Sequence, residues 1–579
     1  MSARPFSRRT FVAALGTGTL VLLAACAPGR GAPPLGDPAE PAAPTPAARL
    51  PALRVGVAND GAALIGFARG LSAHLAGRLG DRAVEFSSNT GERTQVVIST
   101  TPPTMAGIEM SKVTRVYAPV TNWRLPLRTI ARAELNDILT GKVTDWSQLG
   151  SPVPGTIVRC DYTPGGTVLP PEVAKAVPVV ATYDSYDLIV SALEGAPAAF
   201  AIVPLDVIDF RVQALAIAGV DPLAGRGDLA NYPLQQDFWL SWEPGLGSGL
   251  RDAINAFAIG EGYWTDLATP PGNPVNLTVA GDIIFGRTVH TRMKQYNDFA
   301  RPLRRVAPRL RDADLTIANL ECSLSDNTEK PTDPLTFMFT TNAAAVQGLV
   351  LAGIDGVSLA NNHSMNFGKP GLEDTLAVLA EHRIAAFGGG MNLAEARKPG
   401  LLTAKGVTFA FLGYDGITTE EYGAGPNWAG TCPLKLNLVL EDLARAKQGN
   451  PDLIIPYFHW SAEYVAVPSA LMRQIAHQAI DNGAAMVLGS HPHWVQGLEW
   501  YKGKPILYSL GNFVFDQEWS LETKQGMFAE IVIRNKRIAR VRLVPVLIED
   551  YHQPRILDTA ESMSVLQRVY DATDEIEAL

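Results

Sequence analysis

The sequence predicts an α/β protein in two folded regions, set behind an N-terminal targeting segment. Three observations carry that prediction. Short apolar runs alternate with helical stretches through both regions, the pattern of strands interleaved with helices. In the second region, five such runs each end in a cluster of Asp, Glu, Asn or His. A Pro/Gly-rich break, Ala268-Thr269-Pro270-Pro271-Gly272-Asn273-Pro274, lies between the two regions.

Composition bounds the classes of function. The 579 residues are 47% hydrophobic and 18% charged, which suits folded domains rather than disorder. Lys and Arg total 49 against 58 Asp and Glu, a formal charge of −9, with no long basic tract. That balance argues against a nucleic-acid partner. It does not exclude an anionic substrate, because a bound metal supplies positive charge locally.

Residues 1–26 read as an export signal. Ser7-Arg8-Arg9-Thr10-Phe11 is a twin-arginine signature, and Phe11–Ala25 is a short apolar run. Leu23-Ala24-Ala25-Cys26 resembles the bacterial lipobox, with Cys26 as the lipidated residue. The plainer alternative is an ordinary N-terminal membrane anchor. No later stretch approaches the ~20 apolar residues of a membrane span. The expectation is a soluble protein tethered by lipid to the outer side of the cytoplasmic membrane. Beyond Cys26 there remain Cys160, Cys322 and Cys432, an odd and widely spaced set that argues against a disulfide framework. Export in the folded state agrees with that, and it allows a metal to be loaded beforehand.

Residues 27–50 are rich in Pro and Ala and read as an extended linker. The first folded region, 51–268, begins near Leu53-Arg54-Val55-Gly56-Val57 and mixes short strands with helices. Its most distinctive piece is Ala133–Gly150: a short helix, a glycine stop, and a turn anchored by Trp146. This segment resembles its counterpart in phosphate-type periplasmic substrate-binding proteins, and Ala199–Pro204 fits the strand near that family's hinge. The resemblance implies two lobes closing on a ligand, with an oxyanion held by backbone N–H groups and hydroxyls. The loop in that place is Tyr162-Thr163-Pro164-Gly165-Gly166-Thr167, which lacks the Ser-Gly-Thr pattern of phosphate binders. A domain kept for packing after losing its ligand is the alternative.

The second region, 274–555, carries the chemistry. Leu277–Ala280 runs into Gly281-Asp282; Leu315–Ala318 into Asn319-Leu320-Glu321; Gly356–Ala360 into Asn361-Asn362-His363. Leu453–Phe458 runs into His459-Trp460, and Met486–Leu488 into Ser490-His491-Pro492-His493. Helical stretches such as Leu372–Glu381 and Ser469–Asn482 lie between them. In an α/β sheet the C-terminal strand ends gather on one side, where ligands bind. Carboxylates, an amide oxygen and imidazoles converging there make a divalent-metal shell. A carboxylate shared by two ions gives the two-metal arrangement of phosphoryl chemistry. The alternative is a set of strand-end caps and core histidines. It accounts poorly for so many of the 9 histidines falling on strand ends. Residues 556–579 read as a short acidic amphipathic helix, with Met563, Leu566, Val569 and Tyr570 on one face.

The order Asp…Glu…Asn-His…His…His-x-His resembles the calcineurin-like metallophosphoesterase superfamily, and more closely the CapA family of poly-γ-glutamate capsule synthesis. The pieces include Gly281–Arg287, Ala318–Glu321, Ala360–His363, Phe387–Ala396, His459–Tyr464, Gly489–His493 and Tyr508–Gln517. The fold implied is an N-terminal two-lobed periplasmic-binding-protein-like domain plus a C-terminal metallophosphoesterase-like αββα sandwich. The resemblance implies two divalent ions (Mn, Fe, Zn or Mg). Asp282, Glu321 and His493 would hold one; Glu321, Asn362, His459 and His491 the other. His363 would be the general acid. Arg287 would pair either with an anionic substrate or with a structural carboxylate. Asn512 and Gln496 would support the ligands from behind. Two departures stand out. Asp282 is followed by Ile283-Ile284 rather than the usual Asp-x-His, which takes one ligand from the first ion. Asn366 stands where the family usually has an Asp behind the Asn-His pair.

Three functions follow as expectations. One is a CapA-like surface protein in the synthesis, export or anchoring of poly-γ-glutamate or a related envelope polymer, acting within a polymer-synthesis complex. Another is a two-metal hydrolase of a phosphoester or amide, acting on an anionic polymer or small molecule. The last is a sensor lipoprotein that binds without turnover.

Overall fold

Strand Val275–Ile283 has no exposed residue on either face, as expected of a strand covered on both sides. The computed structural model describes residues 52–57, 65–78, 84–87, 94–103, 109–162, 173, 181–243, 252–253, 274–326 and 339–578. In one sheet of the second region, Ala385–Phe387, Gly356–Ser358, Leu315–Leu320 and Val275–Ile283 run parallel in that order. The antiparallel strands Gln525–Arg534, Arg537–Glu549 and Gln553–Ile556 continue it. In the other, Val407–Asp415, Leu453–His459, Val487–Ser490 and Lys504–Leu507 run parallel, with an antiparallel strand at each edge.

The two sheets pack face to face. Leu277, Val279 and Ile317 of the first share a core with Phe411, Ile455 and Leu488 of the second. The outer face of the first sheet is covered by helices carrying Val289, Met293, Leu349 and Leu372. The outer face of the second is covered by Val439, Leu443, Met472 and Ala476. The layers are therefore helix, sheet, sheet, helix, as expected. The helix expected at Leu372–Glu381 spans Gly368–Glu381. Pro370 is tolerated in its first turn, where the missing N–H has no partner to lose. The helix expected at Ser469–Asn482 spans Ala470–Asp481, and Ser469 caps it by accepting from Met472 N.

The first region is two-lobed. Strand Glu109–Asn122 runs through both lobes, pairing with Gln235–Trp242 in one and with Ala199–Pro204 in the other. Each lobe keeps its own core, one around Leu53, Val55, Ile98 and Leu240, the other around Val120, Trp146, Ala201 and Ile202. The segment that carried the resemblance folds as helix Arg132–Leu139 and a short turn Trp146–Leu149. Trp146 is fully buried and donates to Ala198 O at 2.8 Å. Residues Thr163–Thr167 of the expected ligand loop, and residues 268–273 at the expected boundary, lie outside the described residues.

Residues Pro51–Leu579 form one compact unit, and the two regions meet over aromatic and charged contacts. Trp123 meets Trp500 and Tyr570 edge-on, with ring centroids 5.7 and 5.1 Å apart. Arg540 Nη1 reaches Asp221 Oδ2 at 2.7 Å, and Arg534 Nη1 donates to Pro222 O at 3.0 Å. The closing helix, Thr559–Ala578, packs Val565, Leu566, Val569 and Tyr570 inward, while Met563 is only half-buried. Cys160, Cys322 and Cys432 are buried free thiols. Among the described residues, no helix is long and apolar enough to cross a membrane.

Candidate metal centre

The parallel strands of both sheets deliver their C-terminal ends to one place. Asp282 sits opposite Asn319 in the first sheet, and His459 sits opposite Ser490 in the second. Two glycines allow this close approach. A Cβ on Gly281 would lie 2.1 Å from Gly511 O, and one on Gly489 would lie 2.1 Å from Tyr508 O. No larger residue fits at either position.

Six predicted ligands come together there, and Asp282, Glu321 and His459 are fully buried. Ligand atoms of Glu321, His459 and His491 lie within 4.8 Å of one another, as do those of Asp282, Glu321 and His493. Glu321 belongs to both groups. Asn362 joins the first, its Oδ1 2.7 Å from His459 Nε2. His459 Nε2 is also 3.2 Å from His491 Nδ1 and 3.7 Å from Glu321 Oε1. Donors bound at ~2.0–2.2 Å to one tetrahedral ion sit about 3.3–3.6 Å from each other; spacings of 2.7, 3.2 and 3.7 Å bracket that range, so a shared cation is compatible with them after side-chain shifts of about half an ångström. Glu321 Oε1 is buried without a hydrogen-bond partner, which a cation would supply.

The electrostatics say the same. Burial pushes the Asp282 carboxyl up to about 7, against the pull of hydrogen bonds from Asn319 and the His491 backbone. Burial first, then the charges of Asp282, Glu463 and Asp415, push Glu321 well above the usual carboxylate range. Burial drives His459 and His491 well below the ordinary imidazole value, and lowers His493. Neutral imidazoles are the ligand form, and a cation in the pocket would restore the carboxylates to theirs.

The surrounding hydrogen bonds orient the rings. His459 Nδ1 faces Ser490 Oγ at 2.9 Å, leaving Nε2 toward the cluster. His493 Nδ1 lies 2.8 Å from Asn512 Oδ1; donating there leaves Nε2 as the ring's acceptor. Asn512 thus orients the ring of one of the expected ligands. Gln496 donates from Nε2 to Val465 O and from its backbone N–H to Ser509 O, bracing neighbouring loops, while its Oε1 is buried without a hydrogen-bond partner. Cys26 and the export signal lie outside the described residues.

His491 and His493 reach the cluster by backbone geometry. Their φ values are +96° and +57°, the left-handed region that non-glycine residues rarely adopt. In extended backbone, residues i and i+2 would face the same way and leave both rings on one side of one ion. The twist instead sets the ring centroids 5.7 Å apart and sends the rings to different clusters. Such strain collects at functional sites.

His363 stands at the edge. Its Nε2 is 4.0 Å from Glu321 Oε1, and its Nδ1 is 2.9 Å from Asn366 Oδ1. Asn366 therefore orients the ring through an amide oxygen, without a carboxylate's charge. Arg287 Nη2 lies 3.4 Å from Asp516 Oδ1, with its guanidinium over Phe339 and Phe515. The Phe339 ring lies tilted against His363 with centroids 3.9 Å apart, so Arg287 is paired and also close to the site.

Two residues were quoted in motifs but given no role. Asn319 Nδ2 donates to Asp282 Oδ1 at 2.8 Å and lies 3.4 Å from Glu321 Oε2, holding both carboxylates. Asn361 Nδ2 donates to Asn319 Oδ1 at 3.0 Å, and its Oδ1 accepts from His363 N. Their place inside the Asn-Leu-Glu and Asn-Asn-His runs was the available signal. Exposed Glu463 was also missed, although its charge is felt at both Glu321 and His493.

A two-sheet sandwich with two three-donor clusters sharing one carboxylate is compatible with divalent-ion binding. The family described as "Bacterial capsule synthesis protein PGA_cap" matches residues 276–517. The capsule biosynthesis protein CapA of Bacillus anthracis is 30% identical over 282 residues, covering 48% of this chain and 68% of that one. The PGA biosynthesis protein CapA of Bacillus subtilis is 28% identical over 277 residues, covering 48% and 72%. The chain belongs to the CapA family of bacterial capsule synthesis proteins. Among solved structures, an ABC-type phosphate transport receptor from Vibrio cholerae is 15% identical with a TM-score of 0.29, covering 36% of this chain and 95% of that one. A 5'-nucleotidase from Staphylococcus aureus is 12% identical with a TM-score of 0.31, covering 52% and 58%. TM-scores this low carry no argument about either region.

Proposed function

We propose that this chain is a cell-surface lipoprotein acting in the synthesis or export of poly-γ-glutamate or a related envelope polymer, with two divalent ions at the strand-end cluster. The observation that carries the metal part is Glu321, common to both donor groups and with one oxygen otherwise unpartnered. Asp282, Glu321 and His493 would hold one ion; Glu321, Asn362, His459 and His491 would hold the other. When bound, such ions polarise a phosphoryl or carbonyl oxygen and lower the pKa of water.

The chain's own residues do the rest. Asn319 and Asn512 hold the ligand side chains in place. To act as a general acid His363 would have to be the imidazolium, with Nδ1–H held by Asn366 Oδ1 and the second proton at Nε2 beside the cluster, where a leaving oxygen or nitrogen would take it. Arg287 draws an anionic group to the rim, with Asp516 as its resting partner. The polymer of the CapA relatives is itself anionic, and a cationic centre in a chain of net charge −9 gives it one place to dock. The metal content of the purified full chain, read with turnover of phosphoesters and γ-glutamyl peptides, tests the reading. Two equivalents of metal with turnover of one substrate class support it; a metal-free, inactive protein overturns it.

The lipid anchor is part of the same proposal. Wild type is expected in the detergent phase of a detergent–water partition. Cys26→Ala, after signal cleavage, is expected in the aqueous phase. Equal partition of the two sinks the anchor.

A further inference from the structure

Strand Arg537–Glu549 carries Arg540 and Arg542 two residues apart, hence on one face. In an edge hairpin that pattern reads as a solvent face. Here the face turns onto the first region instead. The Arg542 side chain is only 10% exposed, and its Nε and Nη2 are buried with no hydrogen-bond partner. Its nearest paired carboxylate oxygen, Glu530 Oε2, is 4.0 Å from Nη1. Glu530 is already taken by Arg309 at 2.6 Å, and Asp221 by Arg540 at 2.7 Å. Arg128, whose Nη2 donates to Leu543 O at 3.1 Å, faces the same group.

Four guanidinium groups, Arg128, Arg309, Arg540 and Arg542, thus share two carboxylates, Glu530 and Asp221. Burial, then the charge of Arg540, drives Arg542 well below its ordinary value, and burial also lowers Arg128. Arginine does not answer such a field by losing its proton. A buried charge without a counter-charge is costly, so the arrangement calls for an anion.

There is room for one. Arg128 and Arg542 line a cleft of about 220 Å³ between the first region and the closing helix. At ~30 Å³ per water that is space for about seven waters, more than a phosphate or a carboxylate group needs. Thr559 and Ser562, in the first turn of helix Thr559–Ala578, also line it and bring the positive end of the helix dipole. Asp558, an exposed carboxylate, also lines the cleft and accepts from Glu561 N at 2.8 Å.

We propose that this cleft binds a small oxyanion, a carboxylate or a phosphate, at the Nη1 end of Arg542, the guanidinium nitrogen not sealed from the cleft, with Arg128 as the second cation of its lining. The site contains none of the metal-centre residues and does not depend on that reading. It would place an anion sensor where the two regions meet.

Thermal melting of the full chain in chloride buffer, with inorganic phosphate or glutamate added separately, tests it. One of the two is expected to raise the wild-type Tm at millimolar concentration, and the responding arm tells phosphate from carboxylate. Arg542→Met is expected to weaken that response at least tenfold, while melting at or above wild type without the anion. Arg128→Met should show the same crossing, and it reads the site independently if Arg542→Met folds poorly. No response of wild type to either probe overturns the proposal. So does an equal response of wild type and both variants, since the anion then binds elsewhere.

Discussion

Glu321→Gln is expected to empty both halves of the metal centre at once, leaving less than about a tenth of the wild-type metal. The two donor groups share this one residue. Gln keeps the shape but removes the negative charge that would lie between two cations. Asp282→Asn, His491→Ala and His493→Ala each touch one group only and should leave roughly half the metal. Stability should follow occupancy. Each ion at 100 times Kd stabilises by about 2.7 kcal/mol, which moves the Tm of a domain of this size by roughly 2–5 °C. The sign should change without metal. Glu321 is fully buried among Asp282, Glu463 and Asp415, all of which disfavour its charge. In EDTA, Glu321→Gln should therefore melt at or above wild type. Metal analysis and paired melting curves check this. Wild-type metal content in Glu321→Gln would overturn the bridging role, and unchanged metal in His491→Ala and His493→Ala would make that pair packing residues.

The strand ends were legible because two independent patterns coincide there. A buried parallel strand must be apolar along its length, and a site-bearing residue must follow it directly. Leu315–Leu320 into Glu321 and Leu453–His459 show both patterns in a few residues. The ring directions of His491 and His493 were not legible, because left-handed φ at a non-glycine residue has no compositional mark. A proline between them suggested a turn but not its hand. The side-chain direction of Gln496 was not legible for a related reason: a polar residue near a motif says nothing about whether its side chain turns toward ligand or loop. The contact between the two regions was the least legible feature. Arg540 and Arg542 alternate as solvent-facing residues do, and only the tertiary arrangement buries them.

His363→Ala is expected to keep its metal and lose turnover by about 10²–10⁴-fold, the usual cost of a missing general acid. The structure gives the ring one working nitrogen. Asn366 Oδ1 lies 2.9 Å from His363 Nδ1 and also accepts from Phe339 N at 2.8 Å, so it is a fixed acceptor. With the Nδ1 proton committed there, the proton a general acid gives up has to be a second one on Nε2, so the acting form is the imidazolium; Nε2 stands at the cluster, 4.0 Å from Glu321 Oε1. That is too far for a hydrogen bond and close enough to meet a group held beside the cluster. Phe339 packs against the ring at a tilt, with centroids 3.9 Å apart, and keeps it from swinging away. A proton donor matters most when the leaving atom is basic. The loss should therefore be large for an alkyl phosphoester or a γ-glutamyl amide and small for a p-nitrophenyl ester, whose anion leaves unaided. Asn366→Ala should show the same dependence on leaving group with a smaller loss, because it frees the ring without removing it. An equal loss for good and poor leaving groups would place His363 in substrate binding, and metal lost from His363→Ala would place it among the ligands.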